Sequence, residues 1–279
     1  MTPWRLIDSG PCDASFNMAL DEALSVSVRR GDSPSILRLY SWDSPAVSLG
    51  AFQKIGNIDI DFCRSCNIPI IRRPTGGRAI LHGDELTYSF SATNEGLFSG
   101  GLMDSYQKLG AAFNRCFELM GLCCSIRKDL AKGRELTRSP LCFASTSLGE
   151  ISSQGMKIIG SAQKRWKDGF LQQGSIPFDI DRLRMAAVFR MPPRNIDYNS
   201  LAGLMELLPG FEAATLRDHL VAAFEETFSV TLIDSQPSPQ ELELALQLAS
   251  GKYHQECPWQ PEEKADSRSD NTTERSKPG

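Results

Sequence analysis

The sequence predicts an α+β fold, in which strands and helices cluster separately along the chain. Three observations predict it. Leu86-Thr87-Tyr88-Ser89-Phe90-Ser91-Ala92 places apolar residues on every second position, the pattern of a half-buried strand. Further strand-like segments crowd the first two-thirds of the chain without regular strand–helix alternation. From Ser200 onward, apolar residues recur at three-to-four spacing, which is helical.

In chain order, Phe16, Leu20, Ala23 and Leu24 share one face of an amphipathic helix over residues 16–24, with Asp13 or Ser15 as its cap. Strands at 36–40 and 46–50 flank the turn-like Asp43-Ser44-Pro45. Cys63 and Cys66 fall in a short helix ahead of a strand at 68–71. Leu102, Tyr106, Leu109, Phe113, Phe117 and Met120 mark a long helix that Gly121 ends. Residues 150–153 and 156–160 read as a hairpin across Gln154-Gly155. A strand follows at 170–178, then helices at 201–208, 215–228 and 239–251. Residues 1–259 are therefore expected to form one folded domain, with 200–259 a C-terminal helical segment. Residues 260–279, polar and charged, are expected to be a disordered tail.

A net charge of −4 and a pI near 5.5 argue against nucleic-acid binding, which draws on a basic surface. No apolar run is long enough for a membrane span, and the N-terminus enters Leu6-Ile7-Asp8 without a signal-peptide region, so a cytoplasmic protein is expected. Disulfides are rare there. Cys63-x-x-Cys66 has metal or redox spacing but no second pair, so it reads as structural, as do Cys116, Cys123 and Cys124. His82, His219 and His254 are scattered without ligand spacing, and no metal is expected. His219 and His254 read as structural or surface residues. Neither the Rossmann nor the P-loop fingerprint is present.

The most informative stretch is Arg72-Arg73-Pro74-Thr75-Gly76-Gly77-Arg78-Ala79-Ile80-Leu81-His82. Its adjacent glycines let backbone approach a ligand closely, between arginines and a histidine. The string resembles a signature of the lipoate and biotin protein ligase superfamily, in its lipoate-ligase and octanoyltransferase branch. Asn17-Met18-Ala19-Leu20-Asp21-Glu22-Ala23 resembles that family's N-terminal helix motif. Lys157-Ile158-Ile159-Gly160-Ser161-Ala162-Gln163-Lys164-Arg165 resembles its second signature and Leu171-Gln172-Gln173-Gly174-Ser175-Ile176 its third. Lys252-Tyr253 with Pro258-Trp259 is similar to its C-terminal ending. The resemblance implies a mixed β-sheet flanked by helices.

Ligases of this superfamily activate a free acid with ATP, whereas its octanoyltransferases take the acyl group from a thioester on acyl carrier protein. Cys142, in Pro140-Leu141-Cys142-Phe143, stands where ligases typically carry Asn-Asp, and is similar to the nucleophile of the ligase-like, cysteine-using octanoyltransferases. Arginine at Arg78, where ligases often have a third glycine, leans the same way. A free thiol titrates near ~8.5, and a neighbouring ammonium favours its thiolate. The resemblance thus implies Cys142 as nucleophile and Lys157 as its proton partner. Backbone N–H groups near Gly76-Gly77 or Gly160-Ser161 are candidates for the oxyanion site. Arg72, Arg73, Arg78, His82 and Ala162 complete the expected substrate-binding set, His82 as pocket wall rather than base. Leu86, Tyr88 and Phe90, or Ile158 with Ile159, are candidates for the acyl tunnel.

The implied donor is octanoyl-acyl carrier protein and the acceptor a lysine of a lipoyl-domain protein, such as the glycine cleavage H protein. No cofactor is expected; ATP and Mg belong only to the alternative, an ATP-dependent lipoate ligase. A transferase between two lipoyl-domain proteins, and a non-catalytic sensor, are further alternatives. Lys164, Arg165 and Lys167, or the basic-rich run 127–138, are candidate docking patches for acidic partners, although a solvated loop also explains that run.

Overall fold

The computed structural model describes residues 2–126, 151–191 and 200–254. Cys142, the run 127–138, Pro258, Trp259 and the tail 260–279 lie outside the described residues.

The chain opens with β1 (Thr2–Cys12), a strand the sequence pattern does not reveal because its outer residues carry no clear alternation. Helix α1 (Ala14–Arg30) extends further than expected, from an Asp13 cap that accepts the Phe16 N–H at 3.0 Å to Gly31 in the left-handed region. Next come β2 (Ile36–Trp42), β3 (Ala46–Leu49), α2 (Ile60–Ser65), β4 (Ile70–Arg72), β5 (Ile80–His82), β6 (Glu85–Thr93) and α3 (Gly101–Leu119). They are followed by β7 (Ser125–Ile126), β8 (Ile151–Ser153), β9 (Met156–Arg165), β10 (Gly169–Pro177), α4 (Arg182–Val188), α5 (Leu204–Leu207), α6 (Ala213–Phe228), β11 (Val230–Asp234) and α7 (Pro239–Ser250).

Among the described residues, eight strands form one sheet in the order β11-β1-β2-β6-β10-β9-β8-β7, and β4-β3-β5 form a second. β1 is parallel to both β11 and β2, whereas β2, β6, β10 and β9 run antiparallel in turn, so the sheet is mixed. The expected β8–β9 hairpin is present, turning at Gln154 (φ +52°) and Gly155 (φ +80°).

Three expectations need correction. Residues 200–259 are not wholly helical. Ser229 enters the left-handed region and stops α6, and Val230 and Leu232 then point inward on β11, which extends the sheet beside β1. β6 is not half-buried: it is a central strand covered on both faces, so Thr87, Ser89 and Ser91 are as buried as Tyr88 and Phe90. Tyr88, Phe90, Ile158 and Ile159, with Leu86 against them, face the main core shared with Phe113 of α3 and Phe224 of α6. They pack in that core and are not among the residues lining the two cavities described below.

Cys63 is buried, and its thiol is pushed up to about 11 first by that burial. Burial likewise pushes Cys116 and Cys124 to about 12, as inert core thiols behave. No helix among the described residues is long and apolar enough to cross a membrane.

Candidate active site

The site is assembled on the polar face of β6, between α1, β10, β9 and the small sheet. Asn17 and Asp21, from the N-terminal helix motif, are fully buried there. Arg38 of β2 donates to Asp21 Oδ1 at 2.7 Å and to Asn17 Oδ1 at 2.8 Å. Tyr40, Ser89 and Gln173 also donate to the Asp21 carboxylate, at 2.8, 2.6 and 2.7 Å. Burial first, then the charge of Asp21, pushes the Tyr40 phenol up, so it stays a donor. Gln173 Oε1 in turn accepts the Thr75 hydroxyl at 2.8 Å. A single chain of hydrogen bonds therefore ties the helix motif, the third motif and the glycine loop together.

The glycine loop is held from beneath. Arg73 is buried, and its guanidinium donates to the Ser48 carbonyl, to Ser48 Oγ, and to the carbonyls of Gly76 and Arg78, at 2.6–3.0 Å. Gly77 takes φ +84°, and a Cβ built on it would stand 3.4 Å from the Ala162 Cβ. The first and second signatures thus approach each other at Gly77 and Ala162. Arg72 turns the other way: its Nη1 donates to the carbonyls of Gly50, Ala51 and Gln53 at 2.8, 3.3 and 2.8 Å.

His82 ends β5, where the antiparallel register brings it onto the same face as Ser48 of β3. Its Nδ1 lies 2.7 Å from Glu85 Oε1 and its Nε2 lies 2.7 Å from Ser48 Oγ. Burial would raise the Glu85 carboxyl, but the charge of His82 and hydrogen bonds from His82 and Thr87 outweigh it and hold it below the ordinary range. An ionised carboxylate only accepts, so Nδ1 carries the proton shared with Glu85. Arg73, Ser48, His82 and Glu85 thus form one continuous line of hydrogen bonds. Trp42 stacks on His82 at 4.0 Å between centroids, and its Nε1 donates to Thr87 Oγ1 at 2.8 Å and Glu85 Oε1 at 3.2 Å.

These groups surround a cavity of ≈ 20 Å³ whose lining includes Met18, Tyr40, Trp42, Ile80 and His82 together with Arg73, Gly160, Ser161, Ala162 and Gly174. Ser161 Oγ is 2.8 Å from Tyr88 Oη, which accepts from Gln172 Nε2 at 2.9 Å. Behind Trp42, Ile80 and His82 lies a larger cavity of ≈ 290 Å³, which those three residues share as a wall. Ile180 and Met185 also line it.

The structure therefore brings Arg73, His82, Gly160, Ser161 and Ala162 around one cavity, with Gly76, Gly77 and Arg78 adjoining through Arg73. Lys157 is not among the lining residues. It is buried three positions earlier on β9, its N–H donating to the Ser200 carbonyl at 3.0 Å and its carbonyl accepting from Ala202 at 3.1 Å. The basic group at 164–167 is partly spent: Arg165 donates inward to the Phe98 carbonyl at 2.8 Å, and Lys164 lies over the Trp166 ring. Among the described residues no group of three His, Cys, Asp or Glu side chains could hold a metal ion.

Sequence reasoning missed Ser48, Trp42, Glu85 and Arg38. The His82-x-x-Glu85 spacing was the one available signal, since Ser48 and Trp42 join the site only through the small sheet.

The lipoyl protein ligase A/B catalytic domain family matches residues 13–225 of the chain. The chain is 36% identical over 240 residues to octanoyltransferase LipM of Moorella thermoacetica, covering 82% of this chain and 88% of that one. It is 34% identical over 267 residues to octanoyltransferase LipM of Kyrpidia tusciae, covering 91% and 97%. Among solved structures, a lipoate-protein ligase A bound with ATP superposes with a TM-score of 0.75 at 22% identity, over 90% of this chain and 95% of that one, which shows a shared fold.

Proposed function

The chain belongs to the lipoyl protein ligase A/B catalytic domain family, and from that premise we propose that it is an octanoyltransferase of protein lipoylation. It takes octanoyl from octanoyl-acyl carrier protein and places it on a lysine of a lipoyl-domain protein, with the glycine cleavage H protein as acceptor, in the cytoplasm. The likeness to octanoyltransferases over nearly their whole length carries this reading. Cys142 supports it from the sequence, standing where the ligases typically carry Asn-Asp.

In the first step the Cys142 thiolate attacks the thioester carbonyl. The bond from carbonyl carbon to carrier sulfur breaks, and the departing thiolate takes a proton from the Lys157 ammonium. In the second, the neutral amine of the acceptor lysine attacks octanoyl-Cys142. Its surplus proton passes to Lys157, the amide forms, and Cys142 leaves as thiolate. Each turnover thus restores both groups. No ATP enters, because the thioester is already activated relative to the amide.

The acyl chain lies against Met18, Tyr40, Trp42 and Ile80, where each buried methylene contributes about 0.8 kcal/mol. A cavity of ≈ 20 Å³ has room for about one water, so the walls part on binding. Arg73 holds the Gly76 and Arg78 carbonyls back, which leaves loop N–H groups to meet the tetrahedral oxyanion.

Intact-mass spectrometry of the protein with octanoyl-acyl carrier protein, without ATP, tests the reading. A gain of one octanoyl group, labile to hydroxylamine and absent from Cys142→Ala, is expected. Acylation of the acceptor only when ATP and free acid are supplied would instead make the protein a ligase.

A further inference from the structure

The turn that Arg72 holds has an aromatic at its tip that the chemistry does not use. Phe52 is 95% exposed, the most exposed large apolar side chain among the described residues. A single exposed apolar residue ordinarily needs no explanation. This one sits on a turn that is riveted in place. The three carbonyls that Arg72 engages belong to it. The Ala51 N–H donates to the Thr75 carbonyl at 2.9 Å and the Gln53 N–H to the Gly50 carbonyl at 3.0 Å. Gly50 packs so tightly under the glycine loop that a Cβ there would stand 1.9 Å from the Gly77 carbonyl oxygen.

The ring is thus presented to solvent on a rigid support that also fixes the catalytic loop. Cations belong to the same region: Lys54, two residues on, and Arg72, which holds the turn, are exposed, and Arg78, on the glycine loop that abuts Gly50, is partly so, on a chain whose net charge is −4. An exposed aromatic anchor on a turn with neighbouring cations, next to the glycine loop, suits the capture of an acidic protein surface.

We propose that Phe52, together with Lys54, Arg72 and Arg78, is the docking surface for the acidic carrier domain that delivers the acyl thioester. The inference rests on the transferase reading. The donor fits better than the acceptor, because its acyl group arrives on an arm that carries a phosphodiester, and guanidinium and ammonium groups suit phosphate. Docking there would set the carrier against the glycine loop and hand the thioester directly across Gly76–Gly77 toward the cavity.

Steady-state kinetics of Phe52→Ala and Lys54→Glu test the surface. Three substrates are varied: octanoyl-acyl carrier protein, octanoyl-pantetheine, which lacks both phosphate and protein, and the acceptor domain. The KM for the carrier should rise about tenfold, as for loss of one anchoring contact. The kinetics with octanoyl-pantetheine, the acceptor KM and the melting temperature should not move. An unchanged carrier KM in a wild type that does transfer from the carrier would overturn the docking surface alone. A rise in the acceptor KM instead would assign the surface to the acceptor and also overturn it. A wild type that takes nothing from the carrier without ATP would overturn the transferase reading and this surface with it.

Discussion

Arg38 and Asp21 form an ion pair at 2.7 Å in which both side chains are wholly shielded from solvent. The pair survives burial because every lone pair of the carboxylate is used: Tyr40, Ser89 and Gln173 donate to it as well. Removing one member of such a pair leaves the other charged and unpaired, which costs about 3–5 kcal/mol. Asp21→Ala should therefore destabilise the protein by that amount in denaturant titrations, and Asp21→Asn by distinctly less, since its amide oxygen still accepts. The same substitutions should slow acyl transfer even where folding is complete, because Gln173 loses its anchor and with it Thr75. Equal effects of the two substitutions would mean that the retained acceptor contributes nothing and that the lost charge accounts for the whole cost.

Gly50 is a second fixed point. Its missing Cβ admits the Gly77 carbonyl at a distance no side chain tolerates. Gly50→Ala must push the glycine loop outward by an ångström or more, and misplacement on that scale costs about 10²-fold in rate. The prediction is a loss of kcat near that size with a modest fall in melting temperature, because the displaced backbone lies at the surface edge of the site. A variant with wild-type kcat would show that the loop position is unimportant for transfer.

What the sequence could and could not convey follows from how far each group's partners lie along the chain. Gly76, Gly77, Gly160 and Ala162 were legible because short strings around them define local backbone. Arg73 was legible as a site residue, but its work is structural: its guanidinium supports carbonyls of its own loop and Ser48 of another strand. Ser48 was invisible, since nothing local distinguishes it; only pairing of β3 with β5 sets it against His82. The inward face of β6 misled for a related reason. Alternation says which residues share a face, but Tyr88 and Phe90 went to the helix-covered core, leaving the polar face of Thr87 and Ser89 to the site. β1 and β11 were missed together: each becomes recognisable as a strand only through the other and β2.

Trp42, with Ile80 and His82, lines both of two neighbouring cavities, of ≈ 20 Å³ and ≈ 290 Å³. Replacing it with a small residue should join them and let a longer acyl chain run on into the larger space. Four further methylenes would contribute about 3 kcal/mol, or roughly 10²-fold in relative kcat/KM. Trp42→Ala should therefore shift preference from octanoyl toward dodecanoyl donors by up to that factor, measured below the variant's melting temperature. Unchanged selectivity would mean that the chain leaves the site in another direction.

Glu85 sets a pH dependence whose sign can be worked out. Its carboxyl is held below the ordinary range when folded, against about 4.3 in the unfolded chain. Across the interval between those values the unfolded state binds more protons, so stability rises with pH there. The contribution is fully present above the unfolded value and is lost as pH falls through the folded one. Glu85→Gln cannot ionise, so its stability should be lower than wild type at neutral pH and should converge with it in acid. The wild-type slope of stability below pH ~4.3 should flatten correspondingly in the variant. A difference between the two proteins that stays constant from neutral pH into strong acid would mean that Glu85 acts through packing alone and not through its charge.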